Sequence, residues 1–188
     1  GRGADVLGFF QWRASRAGAE KYHSGMVPHA GPDSALFDEV CRLGELTTRL
    51  GPLVGSSVDA QVAILWDYEA QWGLMGPALP SALVQYGDLA VRMHRALAAR
   101  QVTCAVVHPL SDLSAYRLIL VPTLYLVSDA AVANLTATAD AGADVLVSYF
   151  SGIVEESDHI RLGGYPGAFR DLLGVRTEEF RPLRDGEQ

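Results

Sequence analysis

Cysteine is scarce. The 188 residues hold only Cys41 and Cys104, far apart and in no C-x-x-C setting, which excludes a disulfide framework and a cysteine-based metal site. A reducing, cytoplasmic home is the expectation that follows. No uninterrupted apolar run reaches the ~20 residues that cross a bilayer, and no basic, signal-like segment opens the chain. Positive charge is also in short supply: 15 Lys and Arg stand against 22 Asp and Glu, a formal net charge of -7. That balance argues against nucleic acid and anionic membrane partners, both of which need a basic patch to displace counterions. The five histidines are scattered without the converging spacing that zinc requires, so no metal is expected. Internal repeats and low-complexity segments are absent. An initiator methionine is lacking too, and the opening Gly1-Arg2-Gly3 reads as a cut end.

What remains is a globular composition, 49% hydrophobic and 20% charged, rich enough in apolar residues to build a core. Residues 4–12 form a nearly all-apolar run after a glycine, the pattern of a buried parallel strand. Asp5 falls inside that run and reads as structural. An irregular polar stretch over 13–32 follows. Pro32-Asp33-Ser34, then Leu36, Phe37, Val40, Leu43, Leu46 and Leu50 at spacings of three and four, predict a capped amphipathic helix stopped by Gly51-Pro52. Beyond Gly55-Ser56-Ser57 the pattern changes. Strands are expected over 58–66, 102–107, 117–121 and 145–149, and helices over 83–100, 130–141 and near 168–173, with an extended end at 175–180. Strands alternating with helices imply βαβ units and a parallel sheet covered on both faces. The expected class is α/β: a flavodoxin-like domain over 51–188, preceded by one βα unit of something else over 1–50. The polar close at 181–188 is expected to fray.

In parallel α/β proteins, functional side chains gather just past the carboxyl ends of strands. For the first unit that region is 10–23, dense in aromatic and hydrogen-bonding groups. A sugar pocket needs this mixture, with flat apolar faces for the ring and carboxylate or imidazole groups for the hydroxyls. Glu20 and His23 are three apart, so one helical turn places them on one side. On residue types alone the plainer reading prevails: Glu20 neutralises Arg13 or Arg16, and Phe10 and Trp12 belong to a core.

The continuous stretch from Gly8-Phe9-Phe10-Gln11-Trp12-Arg13 through Glu20-Lys21-Tyr22-His23 to Met26-Val27-Pro28-His29-Ala30-Gly31 closely resembles a signature of the glycoside hydrolase family 42 β-galactosidases. Later segments resemble the same family: Ser111-Asp112-Leu113-Ser114-Ala115-Tyr116, Val121-Pro122, Ser148-Tyr149-Phe150-Ser151-Gly152-Ile153-Val154 and Leu162-Gly163-Gly164-Tyr165-Pro166-Gly167. The resemblance implies that residues 1–50 are the last strand and loop of a catalytic TIM barrel and that 51–188 are a trimerisation domain. That domain is similar in fold to class I glutamine amidotransferases. It also implies that Glu20 and His23 hold galactose hydroxyls and that Phe10 lines the subsite, in a homotrimer that needs no cofactor. Both catalytic glutamates of the family lie on earlier barrel strands, so none is expected here, and the chain alone is expected to be inactive.

Other readings compete. A stand-alone assembly or binding module would carry no active site. An amidotransferase-like hydrolase needs a Cys on a sharp strand-to-helix turn with a His nearby; Cys104 instead lies mid-strand, and the exit of the fourth strand offers only Ser151, with His108 or His159. A flavin or nucleotide module would want a Gly-rich turn after its first strand. The residues there, Trp66-Asp67-Tyr68-Glu69-Ala70-Gln71-Trp72, are bulky and acidic.

Overall fold

The computed structural model describes residues 6–77, 79–181 and 183. Asp5 and most of the closing 181–188 segment lie outside the described residues. The chain divides into two compact units, residues 1–58 and 59–188.

In the first unit the expected helix forms as α1, Ala35–Arg49. Ser34 caps it: the Phe37 N–H donates to Ser34 Oγ at 3.4 Å, and that hydroxyl donates to the Gly31 carbonyl at 2.8 Å. One orphan donor of the first turn is thereby satisfied. The apolar stripe is present but stays accessible, with Leu36, Leu43, Leu46 and Leu50 exposed by 39 to 46%.

The strand expected over 4–12 does not form among the described residues. The backbone here makes one isolated parallel bridge, Arg13 to Val27. Around it the Met26 and Val27 N–H groups donate to the Gln11 and Trp12 carbonyls, each at 2.8 Å, and the Ala14 N–H donates to the Val27 carbonyl at 3.0 Å. A buried parallel strand needs a hydrogen-bonded neighbour and cover on its faces. Within this unit the run has only the 26–27 segment. Val6, Leu7, Phe9, Phe10 and Trp12 accordingly stand 58 to 84% exposed, which corrects the expectation that Phe10 and Trp12 are core.

The second unit carries β1 (Val62–Leu65), α2 (Tyr68–Gly73), α3 (Tyr86–Ala98), β2 (Cys104–Val107), β3 (Leu118–Val121), α4 (Asp129–Asp140), β4 (Asp144–Val147) and α5 (Arg170–Leu173). The four strands pair in parallel in the order β2-β1-β3-β4. Parallel neighbours need a crossover, and the intervening helices supply it. The two central strands carry the continuous apolar runs, Val62-Ala63-Ile64-Leu65 and Leu118-Ile119-Leu120-Val121, and nearly all of these residues are buried.

In-register partners share a face. On one side Val62, Ile64 and Leu120 are covered by Met93 and Leu97 of α3, with Cys104 half-buried against them. On the other, Leu65, Ile119 and Val121 join Ala131 and Leu135 of α4 and Phe169 in the main core. Six-residue α2 occupies part of what reads in the sequence as a long loop to Pro80. The extended end expected over 175–180 pairs once, through an antiparallel bridge from Thr177 to Tyr165.

Candidate functional site

The loop of the first unit brings the Phe10 and His23 rings together and links Glu20 to His23 through the backbone. Gly18, at φ +80°, turns the chain, and the His23 N–H closes the next turn on the Glu20 carbonyl at 2.9 Å. Both residues thus belong to one backbone turn, Glu20 at its start and His23 at its end. The Phe10 ring meets the His23 imidazole edge-on, with centroids 6.3 Å apart and planes at 76°, a favourable aromatic geometry. Phe10 is 69% exposed, and Glu20 and His23 are exposed as well. Among the described residues Glu20 forms no ion pair within 4.0 Å, so it does not neutralise Arg13 or Arg16.

The return of the loop is held tightly. A Cβ on Gly25 would lie 2.5 Å from the Ala14 nitrogen and 2.8 Å from the Arg13 carbonyl carbon, so only glycine lets the two backbone segments approach this closely. Behind them the Ser15 hydroxyl donates to Gln11 Oε1 at 3.2 Å, and His29 Nε2 bonds to the Ser15 carbonyl at 2.8 Å. Gln11 Nε2 is buried without a partner among the described atoms. An open hollow of about 470 Å³ lies beside this frame, lined by Arg13, Arg16, Lys21, Tyr22 and His29 among others. None of Phe10, Glu20 and His23 lines it.

In the second unit the carboxyl ends of the strands are polar but closed. Asp67, after β1, caps α2: its Oδ1 accepts the Glu69 N–H at 2.8 Å, and its Oδ2 faces His108 Nε2 at 3.6 Å. The backbone position where a phosphate-binding turn would present its N–H groups is thus taken by a carboxylate. The Tyr86 hydroxyl accepts the Asp67 N–H and donates to the Leu65 carbonyl, both at 3.1 Å. Burial pushes the Tyr86 phenol well above its ordinary range, and the Asp67 charge adds to this.

After β4 the residue with a left-handed backbone is Phe150, at φ +60°, where a nucleophile elbow would place Ser or Cys. Ser151 is wholly buried, and its hydroxyl accepts the Leu124 N–H at 3.0 Å. His159 pairs with Glu155 at 3.3 Å. Cys104 sits inside β2. The Ser151 hydroxyl is thus occupied by a backbone N–H at the exit of the fourth strand. The described residues do not gather three or more His, Cys, Asp or Glu around a metal-sized space, and no helix is long and apolar enough to cross a membrane.

Two family models match the chain. The "Beta-galactosidase trimerisation domain" covers residues 60–188, and "Beta-galactosidase" covers residues 1–50. The chain belongs to glycoside hydrolase family 42. A β-galactosidase from Arthrobacter sp. is 55% identical over 187 residues, covering 100% of this chain and 27% of that protein. One from Bifidobacterium bifidum is 44% identical, covering 96% of this chain and 27% of its own length. Among solved structures, the β-galactosidase of Bacillus circulans sp. alkalophilus superposes with a TM-score of 0.88 at 31% identity, over 96% of this chain and 27% of that one. The cold-adapted enzyme of Rahnella sp. R3 gives 0.83 at 36% identity, over 95% and 27%. The chain therefore spans about a quarter of the length of the family 42 proteins it matches.

Proposed function

We propose that this chain is a segment of a retaining β-galactosidase that hydrolyses terminal β-D-galactosides. Residues 1–50 are the closing βα element of its TIM barrel, and 51–188 are a flavodoxin-like domain through which three copies assemble. The sheet order β2-β1-β3-β4 supports that fold, being the flavodoxin order without a fifth strand. The observation that carries the functional reading is the backbone turn that closes from Glu20 to His23, both residues exposed, with the Phe10 ring edge-on to His23. A carboxylate and an imidazole so placed take adjacent sugar hydroxyls, and an accessible ring beside them packs on the apolar face of the sugar.

Bond cleavage with retention needs two carboxyl groups about 5 to 5.5 Å apart, one a nucleophile and the other an acid/base. We place both outside residues 1–188. Glu20, His23 and Phe10 bind galactose and orient it toward them. The reaction needs no metal or other cofactor, and the enzyme works in the cytoplasm.

The test is hydrolysis of a nitrophenyl β-D-galactoside by the full-length protein, by its Glu20→Gln and His23→Ala variants, and by the 188-residue chain. Only full-length proteins should turn over. Each variant should lose about 10- to 100-fold in kcat/KM, the worth of one hydrogen bond to a charged group or sugar hydroxyl. Turnover by the short chain would overturn the placement of the carboxyl groups. Wild-type kinetics in both variants would overturn the binding roles. A full-length protein inactive on every β-galactoside would favour the stand-alone binding module.

A further inference from the structure

Glu20 and His23 stand on a loop whose two ends meet at a narrow neck. Residues 11–15 form the outgoing side of the neck and 25–29 the returning side, with 16–24 between them. Two kinds of contact lace the sides together. The backbone bonds of Met26 and Val27 to Gln11 and Trp12, and of Ala14 to Val27, form the first, and Ala14 and Val27 are buried at 7 and 2% exposure. The second is a side-chain tie: His29 Nε2 lies 2.8 Å from the Ser15 carbonyl, and the Ser15 hydroxyl donates to Gln11 Oε1. A carbonyl oxygen only accepts, so His29 Nε2 carries the proton and donates it.

The loop itself has little else to hold it. Among the described residues, the backbone bonds of 16–24 are Lys21 N–H to the Gly18 carbonyl at 3.4 Å and His23 N–H to the Glu20 carbonyl at 2.9 Å. Both are internal to the loop, so where it stands is set at the neck and at the Phe10–His23 ring contact. The tightest point of the neck is Gly25. It does not lie in the left-handed region, so what it provides is space alone. A Cβ there would meet the backbone of Arg13 and Ala14 at 2.5 and 2.8 Å, and backbone cannot rotate aside as a side chain does. Ordinary carbon contacts begin near 3.5 Å, so one methyl group would part the two sides by about 1 Å.

Resting on the galactose-binding roles proposed above, we infer that Gly25 and His29 are positioning residues for Glu20 and His23. They act through the backbone: Gly25 sets how closely the sides of the neck approach, and His29 fixes the outgoing side at Ser15. A misplacement of about 1 Å, even one caused away from the reacting bond, costs on the order of 100-fold in rate. The neck therefore governs how well a sugar hydroxyl meets both side chains, although none of its bonds is made to the sugar.

The experiment is steady-state hydrolysis of a nitrophenyl β-D-galactoside by the full-length enzyme, with galactose as competitive inhibitor and circular dichroism to check folding. Gly25→Ala should lower kcat/KM by about tenfold or more and raise the inhibition constant of galactose. The deciding readout is a double-mutant cycle. On a Glu20→Gln background the loss caused by Gly25→Ala should shrink to about a third or less, because a displaced loop has already forfeited part of what Glu20 contributes. His29→Ala should lose about three- to tenfold, the worth of one hydrogen bond, and His29→Gln, whose amide also donates to a carbonyl, should recover most of it. A folded Gly25→Ala enzyme with parental kinetics, or a loss of the same size on both backgrounds, overturns the inference. Should Gly25→Ala not fold, the two His29 variants decide: recovery in Gln supports it, and equal losses or none overturn it. Parental kinetics in both Glu20→Gln and His23→Ala fail at the earlier step and overturn the binding roles together with this inference.

Discussion

Tyr86 ties three parts of the second unit together through one hydroxyl. Its ring fills the core beneath Trp66, while its oxygen serves the last carbonyl of β1 and the N–H of the residue that caps α2. Replacing it with Phe keeps the ring and leaves a buried N–H and a buried C=O without partners. The expected loss is ~2 kcal/mol, because an orphaned buried group costs more than a hydrogen bond gains. Chemical denaturation of the Tyr86→Phe chain should show an earlier midpoint at an unchanged slope. An unshifted midpoint would mean that water replaces the phenol. The residues proposed to bind galactose sit at the opposite extreme. Glu20, His23 and Phe10 are exposed, so their substitution should leave stability nearly untouched, and under the proposed roles any loss should fall on galactoside binding.

At the scale of elements, α2 depends on a single capping side chain. Asp67→Ala removes the acceptor of the Glu69 N–H and should cost ~1 kcal/mol. Asp67→Asn keeps the cap and gives up only the 3.6 Å approach to the half-exposed His108, a pairing worth little in water. Thermal melts of the two variants should therefore separate, with Ala clearly below Asn; equal losses would mean that the His108 pairing outweighs the cap.

The sheet of the second unit was legible because its strands are short apolar runs bounded by turn residues, and periodicity finds those directly. Its ends were trimmed in the structure, as at β1, which begins at Val62 with the Gln61 carbonyl still accepting the Arg117 N–H at 2.8 Å. The six-residue α2 was missed. Two of its residues are aromatic and one is glycine, all poor helix formers, and only Asp67 two residues before Glu69 hinted at a cap. The strand expected over 4–12 failed for the opposite reason. Its apolar pattern is real, but a pattern states what a strand needs and cannot supply the neighbours. The site was legible only as a long continuous string of residues. Single residue types in it fitted a buried core equally well, and no periodicity could have announced the close approach that Gly25 permits.

For the whole molecule, an acidic chain with buried phenols has an alkaline limit. Burial, with the Asp158 carboxylate nearby, pushes Tyr125 up to about 12 from an ordinary value of 10.0, and Tyr86 is pushed higher still. Both phenols are held neutral in the folded state and ionise more easily when unfolded. Their contribution is complete below pH 10 and is lost as pH rises toward 12 and beyond. Melting temperature should therefore decline across that window. In an ultraviolet absorbance titration of the seven tyrosines, a late-ionising fraction should appear only as the protein unfolds. Ionisation of every tyrosine near pH 10 in the folded protein would contradict this.

The stacking of Trp66 on Tyr86 has an optical consequence as well. The three indoles of the chain stand in three different surroundings: Trp12 in the first unit and Trp72 on α2 are both 64% exposed, while Trp66 lies stacked on a buried ring. Two of them are therefore open to water and to a quencher, and the third is half-buried and shielded on one face by Tyr86. With Trp12 and Trp72 changed to phenylalanine, the remaining indole emission of the 188-residue chain belongs to Trp66 alone, a native fluorophore stacked on the buried ring of Tyr86 just past the end of β1.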